Sequence, residues 1–131
     1  MQAHGDYKIE LIDKVVHVYP RGGFNEEGII AMHKEIAAIA PSNCAWALLE
    51  HPKNIAGLTP KAITEIIKGY QQLIAHNCVV IGLEISSAWQ DVFEKNVIAN
   101  VDLPIYLSSD VSALEKVIKE KLASKTFNFG V

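Results

Sequence analysis

Five histidines and two cysteines are the side chains of this sequence best suited to holding a metal ion. His17 lies in the second predicted strand and His33 in the first predicted helix. His51 follows the third strand, His76 closes the second long helix, and His4 precedes the first patterned segment. No pair stands at HxxxH or HExxH spacing, and neither Cys44 nor Cys78 joins a histidine at the spacing zinc ligands need. His76 is accounted for by the affinity of a helix carboxyl end for a cation. We expect no metal and no cofactor.

Nucleophilic catalysis needs a Ser or Cys on an exposed, sharply turned elbow. GxSxG is absent, and both cysteines open apolar runs, "CAWALL" and "CVVIGL", where a buried thiol is inert. "RGGFNEEG" holds three glycines but matches neither GxxxxGK[ST] nor GxGxxG. Gly22 and Gly23 read as a turn from strand to helix. Glu50 ends a predicted strand, as the acceptor Asp of a receiver domain would, but its acidic companions are missing. No catalytic constellation emerges, and the chain is not expected to be an enzyme.

The segment "HPKNIAGLTPKA", His51 to Ala62, is the best remaining candidate. It leaves the carboxyl end of a buried strand and enters the amino end of the clearest helix. Open α/β sheets bind ligands and partners at that edge. Free backbone N–H groups from Thr59 to Ala62 favour an anion, and Lys53 and Lys61 would reinforce this. The candidate partner or anion-binding residues are Lys53, Asn54, Gly57, Thr59 and Lys61. Against this, Thr59 as N-cap and Pro60 at the first helical position suffice as a structural device.

The elements that must position these residues follow from periodicity. "YKIELID" alternates, with Tyr7, Ile9 and Leu11 on one face. Asp13-Lys14 turns the chain, and "VVHVYP" completes a half-buried hairpin. Asn25 caps a helix carrying Ile29, Ile30, His33, Ile36, Ala37 and Ala40, ended by Pro41 and Asn43. "CAWALLE" and "CVVIGLEI" are continuous apolar runs of the kind a parallel sheet buries on both faces. Between them, Ala62, Ile63, Ile66, Ile67, Tyr70, Leu73 and Ile74 form one helical stripe, and Asn77 ends it. Ser86 or Ser87 caps a shorter helix with Trp89, Val92, Phe93 and Val97 on one side. "LPIYL" is the last strand. Ser108, Ser109 or Asp110 caps the closing helix, whose stripe is Val111, Leu114, Val117, Ile118 and Leu122.

The order ββαβαβαβα predicts an α/β fold with a mixed sheet, an antiparallel opening hairpin followed by parallel strands. One domain spans residues 1–131, with a loose N-terminus at 1–5 and a C-terminal tail at 124–131. In that tail Phe127, Phe129 and Val131 alternate. It reads as a segment packed on its own domain, an added strand, or a strand given to a neighbouring copy. Phe127 and Phe129 are the candidates for self-association as a homodimer.

Composition narrows the partners. The net charge of −3, from 12 basic and 15 acidic residues, argues against nucleic acid. No apolar run approaches the ~20 residues a membrane span needs. Two cysteines without CxxC spacing fit buried thiols in a reducing compartment. No basic-then-apolar leader opens the chain. The expectation is a soluble cytoplasmic protein.

With these residues in order, the chain resembles the STAS fold, the family of bacterial anti-sigma-factor antagonists and sulfate-transporter tails. "VVHVYPRGGFNEEGI" resembles the family's second strand, glycine turn and first helix. "AWALLEHPKNIAGLTPKAITEII" resembles its central strand, signature loop and helix, and "LPIYLSSDVSALEKVIKEKL" its last strand and closing helix. The resemblance implies a phosphorylatable Asp-Ser-Ser-Gly motif after an acid ending strand three. Glu50 stands for that acid. At the motif itself, Leu58 replaces Asp, Thr59 holds the first hydroxyl position, Pro60 the second, and Lys61 replaces Gly. This departure points to the divergent SpoIIAA-like group of stand-alone bacterial proteins. The implied function is a non-catalytic regulatory or protein-interaction domain whose partner is another protein, bound at the loop after strand three and the start of helix two. The alternative is a domain binding a small molecule, lipid-like or anionic, with Trp89 and Phe93 as ligand or partner surface.

Overall fold

The computed structural model describes residues 2–53 and 59–129, with side chains described to residue 124. Five strands form one sheet in the order β1-β2-β3-β4-β5. β1 (Asp6–Ile12) pairs antiparallel with β2 (Val15–Arg21), and β3 (Trp46–Glu50), β4 (Cys78–Glu84) and β5 (Ile105–Ser108) follow in parallel. Among the described residues, four helices, α1 (Glu26–Ile39), α2 (Pro60–Ala75), α3 (Ser87–Asn96) and α4 (Val111–Phe129), connect or follow the strands, with a 3-10 turn at Ile98–Asn100. This is the mixed α/β arrangement that the periodicity predicts. Among the described residues, no helix is long and apolar enough to cross a membrane.

Strand alternation divides the core into two layers. Val16, Val18, Trp46, Leu48, Ile81 and Leu83 face α1, α2 and α3. Ala47, Leu49 and Val80 face the opposite way, against Leu114, Ile118 and Leu122 of α4. Every residue of β3 is buried, as the apolar run from Trp46 to Leu49 requires, and the run ends in the buried carboxyl of Glu50. α4 packs on β3, β4 and β5, which leaves one face of the β1–β2 hairpin largely without a helix. Lys8, Glu10, His17 and Tyr19 line that face in cross-strand pairs.

Local chemistry sets the helix starts. The Asn25 side chain accepts from Gly28 N at 2.8 Å, and Asp110 from Ser112 N at 3.0 Å. Ser86 occupies the N-cap position of α3 without a side-chain bond. Asn77, at φ 75°, takes the left-handed conformation that stops α2.

Three expectations are corrected. The N-terminus is tied down rather than loose: His4 N donates to Asn25 Oδ1 at 2.9 Å and Asn25 Nδ2 to Gln2 O at 2.9 Å. Gly28 permits this approach, since a Cβ there would stand 1.9 Å from His4 O. Cys44 precedes β3 and is half-buried, whereas Cys78 is buried as expected. Burial pushes the Cys78 thiol up to about 12. Finally, the alternation of Phe127 and Phe129 does not make a strand, because α4 runs through both. Lys119 to Phe129 contains neither Gly nor Pro, so nothing local halts the helix. Val131 lies outside the described residues.

Candidate functional site at the carboxyl edge of the sheet

Parallel pairing brings the carboxyl ends of β2, β3 and β4 to one edge. In register, His17 stands beside Leu49, Val18 beside Glu50, and Glu50 beside Leu83. Side chains on alternate residues then point to opposite faces, and each face holds a polar group.

On the α1–α2 face, Glu50 is buried at the end of β3 and receives a hydrogen bond from the Tyr70 hydroxyl of α2. Burial pushes the Glu50 carboxyl up to about 7, although the Tyr70 bond pulls it down. The same burial, with the carboxylate beside it, pushes the Tyr70 hydroxyl well above its ordinary range. Tyr70 also meets the edge of His33, with ring centroids 5.6 Å apart. His33 is buried in α1, and neither ring nitrogen has a hydrogen-bond partner among the described residues. Desolvation lowers its pKa to about 4, so the ring is neutral.

On the α4 face, Glu84, His51 and His17 form a chain. His51 Nδ1 lies 2.9 Å from Glu84 Oε1, and His51 Nε2 lies 3.1 Å from His17 Nδ1. The two imidazoles are almost coplanar, at 6° with centroids 5.4 Å apart. That separation and the short N···N distance mean edge-to-edge bonding, not face-to-face stacking. Tyr19 is the ring that lies over His51, at 4.6 Å and 12°. Its hydroxyl donates to Glu10 Oε1 at 3.2 Å. Burial lowers the pKa of His17, as does the neighbouring His51, while Glu10 and Glu115 act the other way.

The β3–α2 connection starts from this edge. His51 N donates to Val18 O at 2.8 Å and Lys53 N to Pro20 O at 3.0 Å. Lys53 thereby continues the β2–β3 ladder as a bridge partner of Arg21. Lys53 and Lys61 are exposed. Thr59 is exposed as well, and its Oγ1 accepts from Ala62 N at 3.1 Å, so the hydroxyl caps α2. Asn54 and Gly57 lie outside the described residues. Trp89 is partly buried against the core, and Phe93 belongs to the core itself. Of the two aromatics expected to form a ligand or partner surface, only Trp89 retains partial exposure.

Sequence reasoning recognised Glu50 and the connection but missed His17, His51, Glu84, Tyr19 and Tyr70 as interacting groups. One signal was present: His51 directly follows one predicted parallel strand and Glu84 lies one residue from the end of the next, and neighbouring parallel strands place their ends together. Among the described residues, no group of three or more His, Cys, Asp or Glu side chains is arranged to hold a metal ion. Compared with known proteins, the chain matches no family model and no curated sequence.

Proposed function

We propose that this chain is a non-catalytic regulatory domain of STAS-like architecture that binds another protein in the cytoplasm. The partner docks at the carboxyl rim of the sheet, on the β3–α2 connection and the first turn of α2. One observation carries this reading: Lys53 is held beside Arg21 at the end of the β2–β3 ladder, and both are exposed. Two cations on backbone-paired residues favour an acidic patch on the partner, both in steering and in register. Lys61, exposed in the first turn of α2, adds a third cation to the same connection. The Thr59 oxygen is engaged in capping, which supports recognition by binding over a phosphorylation switch.

The test is affinity capture with wild type and a Lys53→Glu/Lys61→Glu double variant. The partner recovered with wild type should be lost with the variant while the melting temperature holds. Equal recovery of every specific partner would remove the rim from consideration.

A further inference from the structure

The Glu84–His51–His17 chain has a polarity that its end group dictates. An ionised carboxylate only accepts hydrogen bonds, so His51 Nδ1 must carry the proton that faces Glu84 Oε1. A neutral His51 then has its lone pair on Nε2, and His17 Nδ1 must donate to it across 3.1 Å. His17 Nε2 is left as the unprotonated end. It has no hydrogen-bond partner among the described residues, and it is not sealed from solvent.

This polarity limits how many protons the pair accepts. The first added proton enters at His17 Nε2 and leaves both hydrogen bonds intact. The second must go to His51 Nε2. There it meets the His17 Nδ1–H, donor against donor and cation against cation. His51 is only 7% exposed, so water cannot screen that repulsion. The pair therefore has room for one extra proton and not for two.

Groups on every neighbouring element bear on this titration. Glu10 on β1, Glu84 on β4 and Glu115 on α4 are carboxylates near the rings, and Tyr19 on β2 covers His51. The Lys8 ammonium lies 6.0 Å over the Tyr19 ring. Burial and the other imidazole oppose charge on His17, and the Glu10 and Glu115 carboxylates act the other way.

We propose that the Glu84–His51–His17 chain is a proton-operated clamp on the start of the β3–α2 connection. It is closed with no more than one extra proton on the two imidazoles and opened by the second. His51 begins the connection, and its own N–H bond to Val18 O and the Lys53 N–H bond to Pro20 O continue the ladder. Expelling the His51 ring pulls on both. As regulation of the rim this rests on the function proposed above, but the clamp itself does not, and it is tested on the chain alone.

The experiment combines imidazole 15N spectra with amide hydrogen exchange at pH 7 and pH 4.5, corrected for intrinsic rates. At pH 7 the His51 ring should be the Nδ1–H tautomer. On acidification, protection of the His51 and Lys53 amides should fall at least tenfold relative to Ala47, whose N–H bonds Lys14 O at the other end of the same ladder. In His17→Gln the ratio should change less than twofold, because a carboxamide can donate to neutral His51 or accept from charged His51. An Nε2–H tautomer of His51, or a wild-type ratio unchanged between the two pH values, overturns the proposal. Both wild-type readouts decide it even where the variant folds poorly. Failure of partner capture alone would leave the clamp standing and remove only its link to the rim.

Discussion

Tyr70 and Glu50 show how one buried hydroxyl governs a carboxyl. The Tyr70 bond offsets part of the desolvation that raises Glu50. Tyr70→Phe removes the donor and leaves a buried oxygen without a partner, which should cost about 1–3 kcal/mol. It also raises the Glu50 pKa further. The folded protein then holds the Glu50 proton more tightly, so the added penalty appears where that proton must leave. Urea midpoints should show a larger loss at pH 8 than at pH 5. An equal loss at both values would mean that the hydroxyl acts on packing alone. At the rim, Thr59→Ala removes the cap of α2 and should cost about 1 kcal/mol, which Thr59→Ser restores.

At the scale of elements, α1 and α2 approach each other through a histidine set against a glycine. A Cβ on Gly69 would stand 2.0 Å from His33 Nδ1. Gly69→Ala should therefore destabilise by about 1–2 kcal/mol, the overpacking exceeding the gain in helix propensity. In a His33→Ala background the clash is gone, and the same substitution should become stabilising. Thermal melts of the four proteins measure this coupling, and additive effects would disprove it. The glycine was visible in the apolar stripe of α2, but its reason was not, because the side chain it accommodates is on another helix.

For the whole molecule, Glu50 and His33 make opposite contributions to stability against pH. Glu50 has a folded pKa of about 7 against an ordinary 4.5. Its contribution is fully present below pH 4.5 and lost as pH rises through 7. His33 has a folded pKa of about 4 against 6.5. Its contribution is present above pH 6.5 and lost as pH falls through 4. Between pH 4.5 and 6.5 the two slopes, each about 1.4 kcal/mol per pH unit, cancel. Relative to wild type, Glu50→Gln should lose stability on acidification across that window, and His33→Leu should gain it. Urea denaturation at pH 4.5, 5.5 and 6.5 measures both, and parallel curves for all three proteins would refute the compensation. Much of the architecture behind these effects was legible in the chain. Strand alternation, helical stripes, Asn25, Thr59 and the apolar run Trp46 to Leu49 of β3 depend on residues a few positions apart, where local geometry is nearly decided by sequence. Phe127 and Phe129 show the limit of that reasoning, because two alternating aromatics satisfy a strand pattern yet continue a helix that nothing interrupts. The chain by itself determined the order of elements and the position of the β3–α2 connection. Only the tertiary structure decided that His17, His51 and Glu84 meet, since they are 34 and 33 residues apart and parallel register alone brings them together. It also decided that His33 is sealed without a hydrogen-bond partner among the described residues, because burial is set by the helix that packs across it and not by its own neighbours in sequence.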